Sequence, residues 1–446
     1  MRTSSSNIVV VETIPDDVGG LPLVGGATTA EAWLAIIEKA EETLDISMMY
    51  WSLRPVVEDE FGYTAEQLAS WGVEKGEAVL GALYAAAGRG VMIRIVQSPG
   101  FVAEPHESHL LAVAYPEQVT VRTMQMEAWF ESGIMHQKMM VADGREAYIG
   151  SANMDWRALA QVKEVGLWLQ DDEIMGAALV TLFERWWLWA AMVAKPVMGR
   201  DKQSDVQRLV PKWSKLVQGA QRVREPWGRE MGVGGGKRPL HPHWNNEPSQ
   251  AWLALSPPEV MVAGEMDDET SWLHGMRQAR ETIDVSVMDC LPLSLYWGER
   301  GGPPLWWPTL FDGLVQAALA RRVRVRLLVS EWAQTPAQML PFLRAWRTAV
   351  VGVAPHMPDC LQIKRFVMPG WSETVGVERA YPAYSRVNHP KYMVTDSDWL
   401  VGTSNWAWGY FHTTAGISLC GDYPEVRHRL ATIFDRDWSS PYAREI

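Results

Sequence analysis

Two short stretches of this 446-residue chain carry the same polar pattern. The first reads His136-Gln137-Lys138, then Asp143, then Gly150-Ser151-Ala152-Asn153; the second reads His389-Pro390-Lys391, then Asp396, then Gly402-Thr403-Ser404-Asn405. An imidazole works near neutral pH as a nucleophile or a proton carrier. A lysine ammonium and an asparagine carboxamide beside it hold oxygens on which negative charge builds up. The hydroxyls of Ser151, Thr403 and Ser404 are expected to add contacts to a bound anion. Packing alone does not select His, Lys and Asn, so the recurrence of the pattern points to chemistry. Asp143 and Asp396 stand too far along to reach the same ligand and are expected to serve structure, through ion pairs or hydrogen bonds.

The spacing asks for strands. Residues i and i+2 of a strand face the same side, which sets His136 beside Lys138 and His389 beside Lys391. The mostly apolar residues that follow suit strands running into a core, and the glycine turns bring a second strand back with Asn153 or Asn405. The surroundings repeat as well. Ala32-Trp33-Leu34 leads into Glu42-Thr43-Leu44-Asp45-Ile46-Ser47, as Ser271-Trp272-Leu273 leads into Glu281-Thr282-Ile283-Asp284-Val285-Ser286. Gly90–Val96 matches Arg322–Leu328, and Leu182-Phe183-Glu184-Arg185 matches Ile433-Phe434-Asp435-Arg436. Helical periodicity giving way to β-branched runs predicts an α/β fold of two duplicated α/β/α sandwich domains with pseudo-twofold symmetry. The expected boundaries are 1–195 and 251–446. The Gly-, Pro- and charge-rich stretch 196–250 would connect them; its Gly236-Lys237 pair has no Ser or Thr after it and is not expected to form a phosphate loop.

Composition narrows the function classes. A net charge of -12 argues against a protein that coats duplex nucleic acid, which needs a basic surface, but leaves room for a small basic pocket. Three cysteines give no disulfide framework and fit a reducing compartment. Residues 1–16 lack a basic segment followed by an apolar one, no N-x-[ST] site occurs, and the apolar run Trp186–Ala194 is too short to span a bilayer, so an intracellular, soluble protein is expected. The 24 tryptophans are expected mostly in the core. Tyr50, Trp51, Trp129 and Phe130 are candidates for stacking on bases, and Trp186-Trp187-Leu188-Trp189 is expected in a core helix, with an interfacial patch as the alternative.

The doubled motif resembles the HKD motif of the phospholipase D superfamily. The resemblance implies the phospholipase D fold, one active site between the two domains, a histidine that attacks phosphorus, a second histidine acting as acid, and neither metal nor cofactor. It implies that Lys138, Lys391, Asn153 and Asn405 hold the non-bridging oxygens. Glu164, in Gln161-Val162-Lys163-Glu164, sits where many relatives carry a glutamate that orients the nucleophile, whereas the matching place near Gly416 has no carboxylate. On that asymmetry His136 is expected to be the nucleophile and His389 the acid.

The flanks Gly150–Arg157, Val387-Asn388-His389, Thr414-Ala415-Gly416 and Arg436-Asp437-Trp438 are similar to the branch holding phospholipase D family members 3 and 4 and poxvirus envelope relatives. This implies a 5′-to-3′ exonuclease on single-stranded DNA or RNA. Phospholipid hydrolysis or transphosphatidylation is the alternative, and a silent scaffold is disfavoured because neither motif has lost a residue. Relatives commonly carry a carboxylate where Thr413 stands, which bears on how the second histidine is oriented. With two motifs in one chain, no protein partner is required to complete the site.

Overall fold

In both halves the helix that precedes the central strand starts where the sequence supplies a cap. Thr28 and Glu31 form a reciprocal capping box at helix Thr29–Lys39, and Asp267 accepts the Thr270 N–H, at 2.9 Å, at helix Asp268–Gln278. Each helix turns a buried tryptophan onto the sheet. Trp33 meets Tyr148 edge-on at 5.4 Å and Trp272 meets Trp406 at 5.3 Å. This computed structural model describes residues 6–55, 62–99, 106–130, 132–193, 239–262, 264–294, 305–374 and 380–446. The glycine-rich part of the expected connection, Gly234–Arg238, lies outside them.

Most of the described strands fall into two large mixed sheets with the same order. In the first, the strands run Ala27–Thr28, Asn7–Thr13, Glu164–Gln170, Glu146–Gly150, Met139–Ala142, Thr43–Met48, Met92–Gln97 and Val119–Thr123. In the second they run Met266–Asp267, Ala251–Ser256, Gly416–Gly421, Trp399–Gly402, Lys391–Thr395, Thr282–Val287, Arg324–Glu331 and Leu361–Val367, with Ala443–Glu445 added at the edge. Register repeats too: Ser47 lies opposite Met139, and Ser286 opposite Tyr392. Ion pairs were duplicated along with the backbone. Arg94 bridges Asp45 at 2.7 Å and Glu184 on the helix that covers the sheet; Arg326 bridges Asp284 at 2.7 Å and Asp435 likewise.

Helices pack on both faces of each sheet. The outer faces bury separate cores, around Trp33, Ile46 and Leu83 in the first half and around Trp272, Val285 and Phe311 in the second. The inner faces share one core. It joins Ile149 and Leu167 of the first sheet to Val401 and Leu419 of the second, with Phe183 and Trp186 of helix Glu173–Val193 and Leu430 and Phe434 of helix Pro424–Ser439. Hydrophobic burial in this layer holds the halves together. Trp186 and Trp189 are buried there, which places the Trp186–Trp189 run in the core rather than on an interfacial patch. Trp51 is also a core residue, so it offers no stacking face. Trp129 and Phe130 lie half-buried against the shared core. No helix among the described residues is long and apolar enough to cross a membrane.

The two motif aspartates occupy equivalent structural places. Asp143 accepts the backbone N–H groups of Glu41, Glu42 and Thr43 at 2.7 to 2.9 Å, and Asp396 those of Arg280, Glu281 and Thr282 at 3.0 to 3.1 Å. Each thereby ties its motif strand to the start of the central strand. Burial opposes ionisation of Asp396, but the backbone donors outweigh it and hold the carboxyl below 3.8. Its stabilisation is therefore present above the ordinary carboxylate value and is lost as the pH falls through the depressed one. Replacing Asp396 with Ala should lower stability at pH 7 by about 2 kcal/mol, since hydrogen bonds to a charged acceptor are lost, and should do so without changing turnover by the folded protein. Urea denaturation followed by fluorescence measures this; an unchanged midpoint would remove Asp396 from the scaffold.

Candidate active site

The motif histidines stand just outside the sheets. The first motif strand begins at Met139 and the second at Lys391, so His136 and His389 occupy the extended approaches to those strands. These approaches pair across the halves instead. Met135 bridges Ala415 in parallel, with the His136 N–H on the Ala415 carbonyl at 2.9 Å; Lys163 bridges Asn388, with the His389 N–H on the Lys163 carbonyl at 2.9 Å. The segment behind each G-[ST]-x-N thus becomes the strand partner of the other half's histidine. Gln137 reinforces the first crossing by donating to the Gly416 carbonyl at 3.2 Å while accepting from Ser47.

His136, Lys138, His389 and Lys391 are all buried at this junction, close enough for their charges to act on one another; Asn405 is buried too, its Oδ1 accepting the Asp289 N–H, and Asn153 is half-buried. Lys138 donates to the His136 carbonyl at 2.9 Å and Lys391 to the His389 carbonyl, so each lysine folds back over its own histidine, as the i, i+2 spacing requires. The Nδ1 of His136, the Oδ1 of Asn153 and the Nδ2 of Asn405 have no hydrogen-bond partner among the described residues. Buried polar atoms are normally paired, so these three are the polar atoms of the motif residues left available to a ligand.

Glu164 departs from expectation. Its carboxylate does not reach His136; both oxygens accept from the Nδ1–H of His389 at 2.9 Å, and Ser151 donates to it from behind. The parallel bridge is the reason, because it delivers the residue after Lys163 to the other half's histidine. Sequence spacing showed that a carboxylate was present on one side only, but not which imidazole it would meet. The equivalent place is Gly416. A Cβ there would lie 2.4 Å from Ser256 Oγ and 2.8 Å from Ser404 Oγ, so a side chain opposite His136 would require those hydroxyls to shift.

The expected hydroxyl contacts are spent inside the scaffold. Ser151 Oγ and Thr403 Oγ1 each accept a backbone N–H across the sheet, from Val165 and Ile417 at 3.1 Å, and Ser404 donates to Asp268 at 2.6 Å. They brace the turns that carry Asn153 and Asn405. Thr403 also meets His136 through its backbone, as Ser151 meets Glu164 through its hydroxyl. Thr413, in the place of a carboxylate, hydrogen-bonds Ser132 across the halves at 3.0 Å.

Asp289 was not foreseen. It lies two residues past Val287, which pairs with Lys391, and so continues toward His389; it is buried and its Oδ1 has no partner among the described residues. Its counterpart by repeat is Tyr50, half-buried, whose hydroxyl donates to Asp155 at 2.7 Å. A signal was available, since aligning the repeats sets Tyr50 against Asp289 two positions past the matched strands.

Burial of so many cationic groups together shapes their proton affinities. Desolvation, then Lys138, Lys391 and His389, hold His136 well below its ordinary 6.5, against one hydrogen bond that its ring donates to the Thr403 backbone carbonyl. Desolvation also lowers His389, with Glu164 working in the opposite direction. Lys138 falls well below 10.5 through burial and the charge of Lys391, and burial brings Lys391 to about 7 although Glu164 and Asp289 oppose it. Burial raises Asp289 to about 7 while Lys391 resists. These groups together favour an anion as occupant.

Fold and site define a phosphodiesterase of the phospholipase D superfamily, and comparison with known proteins agrees. The chain belongs to the family described as "PLD3/4, PLD-like domain", which matches residues 24–371. It is 32% identical to the "5'-3' exonuclease PLD3" of Bos taurus over 98% of this chain and 80% of that one. It is 30% identical to "Phospholipase D Y" of Dictyostelium discoideum over 98% of this chain and 92% of that one. Among solved structures, the phosphatidylserine synthase of Haemophilus influenzae Rd KW20 shares the fold, with a TM-score of 0.55 at 9% identity, covering 94% of this chain and 85% of that one.

The two groups near 7 give the free site a pH dependence with a definite sign. As the pH rises through about 7, Lys391 loses its proton and Asp289 becomes ionised, and both changes weaken anion binding. Sulfate keeps its charge over that range, so its dissociation constant, read by calorimetry, should rise several-fold from pH 6 to 8.5. A flat profile would contradict the placement of the two groups.

Proposed function

We propose that the chain is a metal-independent phosphodiesterase that works through a phosphohistidine, and that its substrate is single-stranded DNA or RNA cleaved from the 5′ end. One observation supports the reaction: the His136 and His389 imidazoles and the Lys138 and Lys391 ammoniums, drawn from both halves, are buried within reach of one another's charge. His136 is the nucleophile, but not because Glu164 orients it. Its environment disfavours the proton and leaves a lone pair for phosphorus, whereas Glu164 supports a proton on His389. An imidazole nitrogen of His136 bonds to phosphorus as the P–O bond to the leaving group breaks, and His389 Nε2 gives its proton to that oxygen. Water then attacks phosphorus, His389 takes the water's proton, and the P–N bond breaks to free His136. Lys138, Lys391, Asn153 and Asn405 hold the non-bridging oxygens through both steps. All these groups come from one chain, so a second copy is not needed.

Support for nucleic acid as substrate comes from the relatives named 5′-3′ exonucleases, of whose length this chain covers about four fifths. The lipid alternative loses its interfacial patch, because Trp186 and Trp189 are buried. The deciding assay gives the protein 5′-end-labelled single-stranded DNA and fluorescent phosphatidylcholine, each with EDTA, from pH 4.5 to 8. Release from DNA alone is expected, and lipid hydrolysis without nuclease activity would reverse the assignment. Abolition of activity by EDTA would end the metal-free mechanism. His136→Ala and His389→Ala should each reduce turnover by at least about a thousandfold, a scale typical of removing a nucleophile or an acid. Phosphate trapped on His389 in acid-free mass spectrometry would exchange the two roles.

A further inference from the structure

Lys163 is the residue through which Glu164 is delivered to His389, and its side chain enters an alternating chain of buried charges. Its Nζ lies 2.6 Å from Asp437 Oδ2, and neither side chain is exposed at all. Asp437 accepts from its neighbour Arg436 at 2.8 Å, and Arg436 reaches Glu12 at 2.7 Å. Glu12 also accepts the backbone N–H groups of Val24 and Gly25 at 3.0 and 2.8 Å. Two members belong to the first half and two, on helix Pro424–Ser439, to the second. The four charges cancel, which is the condition under which such groups tolerate burial.

The network ends where the chemistry begins. Glu12 pairs with Val165, and Thr13 with Glu164, in the strand register, while the Lys163 backbone holds His389 and Val387. Successive residues of an extended segment leave on opposite faces. Fixing Lys163 on one face therefore fixes the rotation of the segment and the aim of Glu164 on the other. The two-fold-related site supplies an internal comparison. Ala415 stands in the place of Lys163 and Gly416 in the place of Glu164, so the anchor occurs only on the side that has a carboxylate to aim.

We propose that Lys163 and Asp437 are positioning residues for the reaction, their ion pair setting the Glu164 carboxylate against Nδ1 of His389. This rests on the two-histidine reading of the site. The test uses bis(4-nitrophenyl) phosphate, a diester that commits to no biological substrate, and the full chain. Asp437→Asn keeps side-chain volume and should lower kcat at least tenfold with KM within about twofold. The pH-rate limb that reports His389 should move to lower pH in Asp437→Asn and in Glu164→Gln alike, since both weaken the support for its proton. In the double-mutant cycle, Asp437→Asn should cost little more once Glu164→Gln is present. Should Asp437→Asn fail to fold, the paired change Lys163→Met with Asp437→Leu removes both charges together; it should fold and still show the low kcat and shifted limb. Normal kcat in the paired variant, additive losses in the cycle, or a loss that follows the unfolded fraction alone would overturn the proposal. Full activity in His389→Ala would overturn the underlying reading and the proposal with it. A dead His389→Ala alongside normal Asp437→Asn would overturn the positioning role only.

Discussion

The site depends on two parallel bridges that carry backbone from one half to the other, Met135 to Ala415 and Lys163 to Asn388. Each joins the residue before one motif histidine, or a near neighbour of it, to the segment that follows the other half's asparagine turn. Neither half can present its histidine alone, because the N–H groups of His136 and His389 find their acceptors only across the junction. An unpaired buried amide costs as much as a lost hydrogen bond, so assembly of the site and docking of the halves are one event. The shared core between the sheets supplies the free energy for that docking, and the bridges determine its register.

Register in turn creates an electrostatic problem. Two lysines and two histidines are brought out of water within reach of one another's fields, against two nearby carboxylates, Glu164 and Asp289. Burial and mutual repulsion make these groups hold their protons weakly. A phosphodiester changes that balance, because its negative charge favours proton retention on the groups that grip it. The ligand and the charge state it needs thus support each other.

Much of this was legible in the sequence. The four matched segments imply duplication, and the sheets repeat one another strand for strand. The i, i+2 spacing implies a lysine beside each histidine, and each Nζ reaches its own histidine's carbonyl. Crossings between the halves were not legible, because nothing local in Gln161-Val162-Lys163-Glu164 says that it pairs with Val387-Asn388-His389. For that reason Glu164 was assigned to the wrong imidazole. Ser151, Thr403 and Ser404 misled for a different reason. A hydroxyl serves a turn or a ligand equally well, and only the strand register shows that the backbone N–H groups of Val165 and Ile417 claim the first two and Asp268 the third.

Symmetry and its breaking have separate locations. What must be identical for the halves to dock has stayed alike: the hydroxyl braces at Ser151 and Thr403, the aspartate ties at Asp143 and Asp396, and the lysines folded on their histidines. What sets proton affinity has diverged, with Glu164 against Gly416, Lys163 against Ala415, and Tyr50 against Asp289. Two histidines in equivalent backbone settings are chemically interchangeable until their neighbours differ. A reaction that needs one imidazole without a proton and one with it requires such a difference. Gly416 reinforces it, since the Ser256 and Ser404 hydroxyls would have to shift for a matching side chain to stand there. The absence of a carboxylate opposite His136 is therefore matched by the packing around Gly416, and the two imidazoles keep different neighbours.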